Sequence, residues 1–149
     1  MALSHLRQKE EALNVFTMLN PISHTMNKED CQIYQVEPYV IPADIYTHKI
    51  FYAKGGWTWY TGSSAWFYKV GIEELLGFRK YGKTLHFDID KIPFQSYHLT
   101  YHYKDTTYEI TFQQSKTTKI TLDQQEIKND IPLSNDKKTH SIEIKGGKI

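Results

Sequence analysis

The sequence predicts an α+β protein in which helices come first and strands follow. Apolar residues recur at helical spacing up to Gly77, whereas from Phe78 onward they alternate with polar residues. Turn signals separate the alternating stretches, and no helical pattern interrupts them. These observations predict helices over residues 1–77 and a small antiparallel β-sandwich over residues 78–149.

The first predicted helix runs from Leu3 to Leu19, because its apolar residues fall along one side of a helical projection. It ends before Pro21, since a residue that precedes proline avoids the helical region. The helix begins almost at Met1, which suggests a piece of a larger protein, although a short protein could also begin this way. Residues 21–35 are predicted to be a polar connector.

Two further helices are predicted before Gly77. One lies within residues 36–52 and is short or kinked, because Pro42 interrupts it. The other is capped by Thr61-Gly62-Ser63 and ends at Gly77. Its predicted buried side consists of Ala65, Trp66, Val70, Ile72, Leu75 and Leu76.

Alternating stretches predict the strands that follow. Lys104-Asp105-Thr106 is predicted to form a hairpin turn between the two longest of them, and residues 129–138 are predicted to be a loop. The apolar members of the stretches are Leu85, Phe87 and Ile89; Tyr97, Leu99, Tyr101 and Tyr103; Tyr108, Ile110 and Phe112; Ile120 and Leu122; and Ile142 and Ile144.

The composition argues against several classes of protein. The 18 Lys and Arg residues against 17 Asp and Glu leave a net charge of +1, so no global attraction to nucleic acid or to an anionic membrane is expected. The single cysteine, Cys31, excludes an internal disulfide framework and is expected to be a structural thiol. Neither a secretory leader nor an apolar run that could span a bilayer is visible, so a cytoplasmic location is expected.

The stretch from Gly55 to Tyr68 contains every tryptophan of the chain: Trp57, Trp59 and Trp66. Flat rings stack on the apolar face of a pyranose, while small hydroxyl residues and glycine amides can bind its polar edge or an anion. Large rings also commonly anchor a core. A sugar platform and core packing are both open for Trp57 and Trp59, and core packing is expected for at least one of them.

Two motifs give a resemblance to a known family. Glu37-Pro38-Tyr39-Val40 and Gly55-Gly56-Trp57-Thr58-Trp59-Tyr60-Thr61-Gly62-Ser63 resemble the C-terminal end of glycoside hydrolase family 94. That family contains cellobiose and chitobiose phosphorylases and the phosphorylase-like domain of cyclic β-1,2-glucan synthases. The stretch over residues 19–24 and the strand Thr107-Tyr108-Glu109-Ile110 are similar to the same pattern. The aromatic motif is most similar to the cyclic glucan synthase branch.

The resemblance implies a fold and a chemistry. Family members look like a large (α/α)6 barrel followed by a small jelly-roll-like β domain. Residues 1–77 would then be the last helices of the barrel, and residues 78–149 the β domain. The family cleaves β-glucosidic bonds with inorganic phosphate, inverts the anomeric carbon and releases a sugar 1-phosphate. Phosphate is thus a co-substrate, and no cofactor or metal is implied.

The resemblance assigns no catalytic residue to this chain. The general acid of the family is an aspartate upstream of the matching part, and Asp44, Asp88 and Asp90 do not match its motif. By the resemblance, Glu37 matches a glutamate that contacts sugar, although capping of a helix is an equal alternative for it. Trp57 and Trp59 complete the predicted substrate site, together with Thr61 and Gly62.

The predicted phosphate site departs from the family pattern. Thr61 and Gly62 lie at the edge of the phosphate-binding region, and Thr107 is a weaker candidate from the β domain. The family motif His-x-Gly-Arg-Gly-Gly reads Phe51-Tyr52-Ala53-Lys54-Gly55-Gly56 here. The histidine is absent, and Lys54 stands in place of the arginine.

Two functions from different classes remain. The first is the C-terminal part of a β-glucan phosphorylase-like or cyclic β-1,2-glucan synthase protein, which is inactive alone because it lacks the acid. Such a part would bind a β-glucan oligosaccharide and pair with the missing N-terminal part of the barrel or form a homodimer. The second is a stand-alone carbohydrate-binding module. A free-standing enzyme is poorly supported, because no acid–base pair or metal cluster is visible.

Overall fold

The computed structural model describes residues 1–59 and 61–147, with Thr61 placed in a helix but without its side chain. The chain forms two compact units, one of Glu10–Gly71 and one of Met1–Lys9 with Ile72–Ile149. Helices precede strands along the chain, which confirms the predicted α+β class. No helix in the described ranges is both long enough and apolar enough to cross a membrane.

The predicted first helix is divided into two. Helix α1 spans Ala2–His5 and helix α2 spans Lys9–Leu19. Between them Arg7 adopts a left-handed conformation with φ of 59°, which an α-helix cannot continue through. The prediction of one helix was wrong at this point, because the apolar pattern carries no signal of the break.

The unit Glu10–Gly71 contains two further helices, α3 (Lys28–Tyr34) and α4 (Thr61–Lys69). Helix α3 lies in the predicted connector and is capped by Asn27, whose side chain accepts a 2.8 Å hydrogen bond from the Asp30 amide. Residues 36–52 form no helix, so that prediction was wrong. Phe16 of α2 stacks on Phe67 of α4 with ring centroids 4.0 Å apart.

The predicted buried side of the third helix is only partly correct. Ala65 and Trp66 are exposed, and no described side chain of α4 is buried. A π-helical turn continues α4 over Val70–Leu75, and it buries Leu75 together with a charged residue, Glu74. The prediction failed because a helical pattern shows which residues share a side and not which side meets the rest of the chain.

Eight strands form two sheets in the described ranges. The three-stranded sheet has the order β1-β2-β7 and the five-stranded sheet the order β3-β4-β8-β5-β6. Their bounds are β1 Phe78–Tyr81, β2 Thr84–Phe87, β3 Ser96–Tyr103, β4 Thr106–Gln114, β5 Lys119–Leu122, β6 Gln125–Glu126, β7 Ile131–Pro132 and β8 Thr139–Gly146.

Both sheets contribute to one hydrophobic core, as expected for a sandwich-like arrangement. Leu85 comes from the smaller sheet, and Ile110 and Ile142 come from the larger one, each fully buried. The alternation predicted β2, β4 and β8 correctly. Ile89 lies in a 3-10 turn over Ile89–Lys91 rather than in a strand, and β7 lies within the predicted loop over residues 129–138, so these two predictions were wrong. The predicted antiparallel arrangement is wrong at one strand, because β8 runs parallel to β4 and antiparallel to β5. Consecutive strands β4 and β5 run in opposite directions, so a strand inserted between them must be parallel to one of them.

A buried ion-pair network joins the first residues of the chain to the β-sheet unit. The Glu74 side chain is 1% exposed and accepts hydrogen bonds of 2.7 Å from both Ser4 Oγ and Arg79 Nη2. Arg79 also contacts Asp88 at 2.5 Å, and Lys91 Nζ lies 3.6 Å from Glu74. Burial alone would raise the pKa of Glu74, but the hydrogen bonds and positive charges outweigh it and lower this pKa to about 2.

A histidine at the start of β8 bridges two loops of the same unit. His140 Nδ1 lies 2.7 Å from Asp123 and Nε2 lies 3.2 Å from Asp136, while its ring stacks on Tyr108. Buried Thr106 accepts hydrogen bonds from the amides of residues 136 and 137. The hydrogen bond with Asp123 raises the pKa of His140, partial burial opposes this, and Asp136 raises the pKa further.

We expect this histidine to make the stability of the unit depend on pH. Its pKa is raised in the folded state, so its contribution is complete below the unfolded value of about 6.5 and is lost as pH rises through the folded pKa. The difference in unfolding free energy between the wild type and His140→Gln should therefore shrink as pH increases from 6.5. Urea titrations across this range measure it, and a difference that grows with pH would contradict the expectation.

Candidate functional site

The segment over residues 43–57 folds back on itself, and this pairing holds the glycine pair Gly55-Gly56 of the aromatic motif opposite residues 44 and 45. Ala43 N donates to Trp57 O at 2.8 Å, and Tyr46 N donates to Lys54 O at 2.9 Å. Ile45 and Gly55 form an antiparallel bridge between these two bonds. This pairing explains why a helix does not form here, since the backbone groups bond across the segment.

Gly55 and Gly56 allow close approach of the backbone to two neighbouring segments. A Cβ atom on Gly55 would overlap the Val36 side chain, and one on Gly56 would overlap the Asp44 carboxylate. The Gly55 amide donates to Tyr34 O and the Gly56 amide to Asp44 O, each at 2.9 Å. These two amides therefore donate within the chain, and among the glycines of the motif only Gly62 remains a candidate for binding sugar or phosphate.

The structure brings two of the predicted substrate residues together. Glu37 and Trp57 line one open depression of about 640 Å³, and the Trp57 side chain is 77% exposed. A carboxylate beside an exposed indole can accept hydrogen bonds from hydroxyl groups while the ring covers an apolar face. The other residues of the depression are Gln35, Val36, Gly55, Gly56 and Thr58.

Trp59 lies outside this depression. Its side chain is 65% exposed and packs edge-to-face against Tyr39, with ring centroids 6.4 Å apart. Its φ of 68° places it in the left-handed region, which large side chains rarely adopt. The expectation that Trp57 or Trp59 is a core residue was wrong for this chain, since both rings are exposed.

The predicted phosphate residues lie on different elements of the chain. Lys54 Nζ lies 5.9 Å from the centre of the Phe51 ring and lines a different depression from that of Glu37. Gly62 is exposed in the first turn of α4, where amide groups lack intrahelical acceptors, and the side chain of Thr61 lies outside the described residues. Thr107 belongs to the other unit, where its hydroxyl is 3.1 Å from His102 Nδ1.

Sequence reasoning missed Tyr34, which supports the floor of this region. Its ring is 1% exposed and stacks on His24 with centroids 5.0 Å apart. Its hydroxyl is buried and has no hydrogen-bond partner among the described residues, and burial raises its pKa. No sequence pattern identifies this residue, because Gly55, which packs on the Tyr34 ring, lies far along the chain.

Comparison with known proteins agrees with the two motifs. The family model of the Glycosyl hydrolase 94 superfamily, catalytic domain, matches residues 1–77, just over half of the chain. The Cyclic beta-(1,2)-glucan synthase NdvB of Rhizobium meliloti (strain 1021) is 48% identical over 85 residues. This match covers 57% of the chain and 3% of that relative, so the chain spans a small part of its length. The chain belongs to the glycosyl hydrolase 94 superfamily.

Proposed function

We propose that this chain is the C-terminal part of a glycosyl hydrolase 94 catalytic region that acts on β-glucans, and that Glu37 and Trp57 form part of its sugar site. One observation carries the proposal. An exposed indole and a carboxylate line the same depression, and both lie within the residues that match the family. The name of the relative, a cyclic β-1,2-glucan synthase, supports a β-glucan as the ligand.

In this proposal the chain binds and orients the sugar. The Trp57 ring stacks on a pyranose, and Glu37 accepts hydrogen bonds from its hydroxyl groups. Phosphate attacks the anomeric carbon as the glucosidic C–O bond breaks, and an acid outside this chain protonates the leaving oxygen. Lys54, Thr61 and Gly62 are the proposed phosphate contacts, and Thr107 is a weaker candidate. The chain alone is therefore expected to be inactive.

The exposed apolar surface of the unit Glu10–Gly71 supports the view that a larger barrel is completed elsewhere. Isolated soluble domains rarely leave so many large apolar side chains in solvent. We infer that residues 1–77 are the last helices of a barrel whose remainder covers them, and that residues 78–149 are the β domain. The side chains that this remainder would cover include Val15, Met18, Ile22, Met26, Ile33, Ile50, Phe51, Tyr52 and Tyr68.

The sugar site is tested by calorimetric titration with short β-1,2- and β-1,4-glucans. Trp57→Ala is expected to weaken glucan binding by at least tenfold, about 1.4 kcal/mol, because the stacking surface is lost. Trp66→Ala is the matched control, since Trp66 is 57% exposed on α4 and does not line the depression. Equal binding by the wild type and Trp57→Ala would contradict the proposal.

The catalytic part of the proposal needs a separate assay. The purified chain is expected to release no sugar 1-phosphate from glucan and phosphate, and measurable release would overturn the view that it lacks the acid.

If the chain alone gives no heat with glucan in the calorimetric titration, the sugar site is tested in a chimera in which the matching segment of this chain replaces that of the Rhizobium meliloti relative. Trp57→Ala should then lower activity of the chimera while Trp66→Ala should not, and an unaffected Trp57→Ala chimera would refute the sugar site.

A further inference from the structure

One edge of the five-stranded sheet lacks the features that normally prevent strands of different molecules from pairing. Edge strands are usually short, charged or interrupted by proline. Strand β7 has two residues including Pro132, β6 has two residues, and β1 has four residues including Arg79 and Lys80. The remaining edge strand, β3, has eight residues, Ser-Tyr-His-Leu-Thr-Tyr-His-Tyr, with no Lys, Arg, Asp, Glu, Pro or Gly.

The outer backbone groups of β3 come from its even-numbered residues. Tyr103 pairs with Thr106 across a two-residue turn, so the odd-numbered residues exchange hydrogen bonds with β4 and the even-numbered ones face outward. In the described part of the chain, the backbone groups of His98, Thr100 and His102 form no hydrogen bond with any residue outside β4. The side chains of these residues are exposed as well.

The sequence of β3 is nearly palindromic about Thr100. An antiparallel pair of two β3 strands centred on this residue places His98 opposite His102 and Tyr97 opposite Tyr103, and Leu99 opposite Tyr101. The odd-numbered side chains are only half-buried in the single chain, so a second copy would cover them with like side chains. Aromatic cross-strand pairs of this kind stabilise antiparallel strands. A register shifted by two residues would instead place Tyr103 opposite Gln95 or Tyr97 opposite Asp105.

We propose that β3 is a homodimer interface, in which two copies pair their β3 strands antiparallel across a two-fold axis at Thr100. The two five-stranded sheets then form one continuous sheet. The pairing supplies about six intermolecular backbone hydrogen bonds, from residues 98, 100 and 102 of each copy. Strand β3 contains no Asp, Glu, Lys or Arg, so like charges oppose one another only when His98 and His102 are both protonated. The interface is independent of the sugar site and of the apolar surface on the unit Glu10–Gly71.

The test is the oligomeric state of the full chain by sedimentation velocity over a range of concentrations. Thr100→Pro removes the outward amide at the two-fold axis and leaves the bonds to β4 intact, because proline is tolerated where the N–H of an edge strand faces solvent. Thr100→Lys places two positive charges against each other across the axis. Each variant is expected to raise the dimer dissociation constant by at least tenfold. Thr111→Lys is the matched control on β4, on the same exposed face but away from the edge.

Amide hydrogen exchange resolved by residue gives a second readout. The amides of His98, Thr100 and His102 should exchange more slowly as protein concentration rises, while those of Leu99 and Tyr101 are protected by β4 at every concentration. The proposal is overturned if the wild type is a monomer or if both Thr100 variants retain the dimer. It is also overturned if exchange at these three amides does not depend on protein concentration. A dimer retained by both Thr100 variants would use another surface, such as the apolar side chains of Glu10–Gly71.

Discussion

Replacing Arg79 with methionine is expected to destabilise the β-sheet unit by about 3–5 kcal/mol, because it leaves the buried Glu74 carboxylate without its main cation. The Arg79 side chain is 16% exposed and bonds to Glu73, Glu74 and Asp88 at once. Glu74 is 1% exposed, so water cannot replace the lost partner. Lys91 at 3.6 Å compensates only in part. Denaturant unfolding of the wild type and the variant measures the loss.

Two controls separate the buried network from the loss of a surface charge. Arg7→Met removes the same side chain from an exposed pair with Asp90 at 4.0 Å and should cost less than about 1 kcal/mol. In the double variant Glu74→Met with Arg79→Met, both main partners of the buried pair are apolar, and stability should recover toward that of the wild type. An Arg79→Met variant as stable as Arg7→Met would show that the network does not hold this unit together.

Acid should weaken the same network in a defined range of pH. The pKa of Glu74 is lowered to about 2, so its contribution is complete above the unfolded value of about 4.3 and is lost as pH falls toward 2. This loss is opposite in sign to that expected for His140, whose contribution fades at high pH. The unit should therefore be most stable at intermediate pH.

Phe112→Ala is expected to cost about 3–5 kcal/mol, since it removes a fully buried ring from the centre of the core and leaves a cavity. Phe112 on β4 is 0% exposed and stacks on Tyr97 of β3, with ring centroids 5.2 Å apart. Loss of the ring should also loosen the edge strand β3. Thermal or urea unfolding monitored by tyrosine fluorescence measures the change.

Tyr81→Ala is the control for the core substitution. It removes an aromatic ring of similar size at the end of β1, where the side chain is 61% exposed, and should change the unfolding free energy by less than about 0.5 kcal/mol. Similar losses for the two variants would mean that Phe112 does not occupy the centre of the core.

Much of the β-sheet unit could be predicted because its signals are local. Alternation of apolar residues identified β3, β4 and β8, and the turn at Lys104 identified the hairpin. The helical part was predicted less well. Residues 36–52 form no helix, and residues 43–46 of this range instead bond across a loop to residues 53–57. Neither the break at Arg7 nor the helix α3 has a periodic apolar signal, although Asn27 is a typical capping residue.

The sequence motifs identified candidate residues of the site but could not show which of them lie together. The motif singled out Glu37, Trp57 and Trp59, and the structure brings the first two to one depression while Trp59 lies against Tyr39. The glycine pair proved to be a packing requirement, because the segments around Tyr34 and Asp44 approach its backbone too closely for a side chain. Such an approach cannot be read from spacing.

The sequence by itself determined the class of fold, the order of helices and strands, and the family, because residue periodicity and contiguous motifs act over short distances along the chain. Only the tertiary structure decided which faces are exposed, where β8 inserts, and how Ser4, Glu74 and Arg79 meet in a buried network. Each of these depends on contacts between residues far apart in sequence. Their energies come from burial and desolvation, which exist only once the chain has folded.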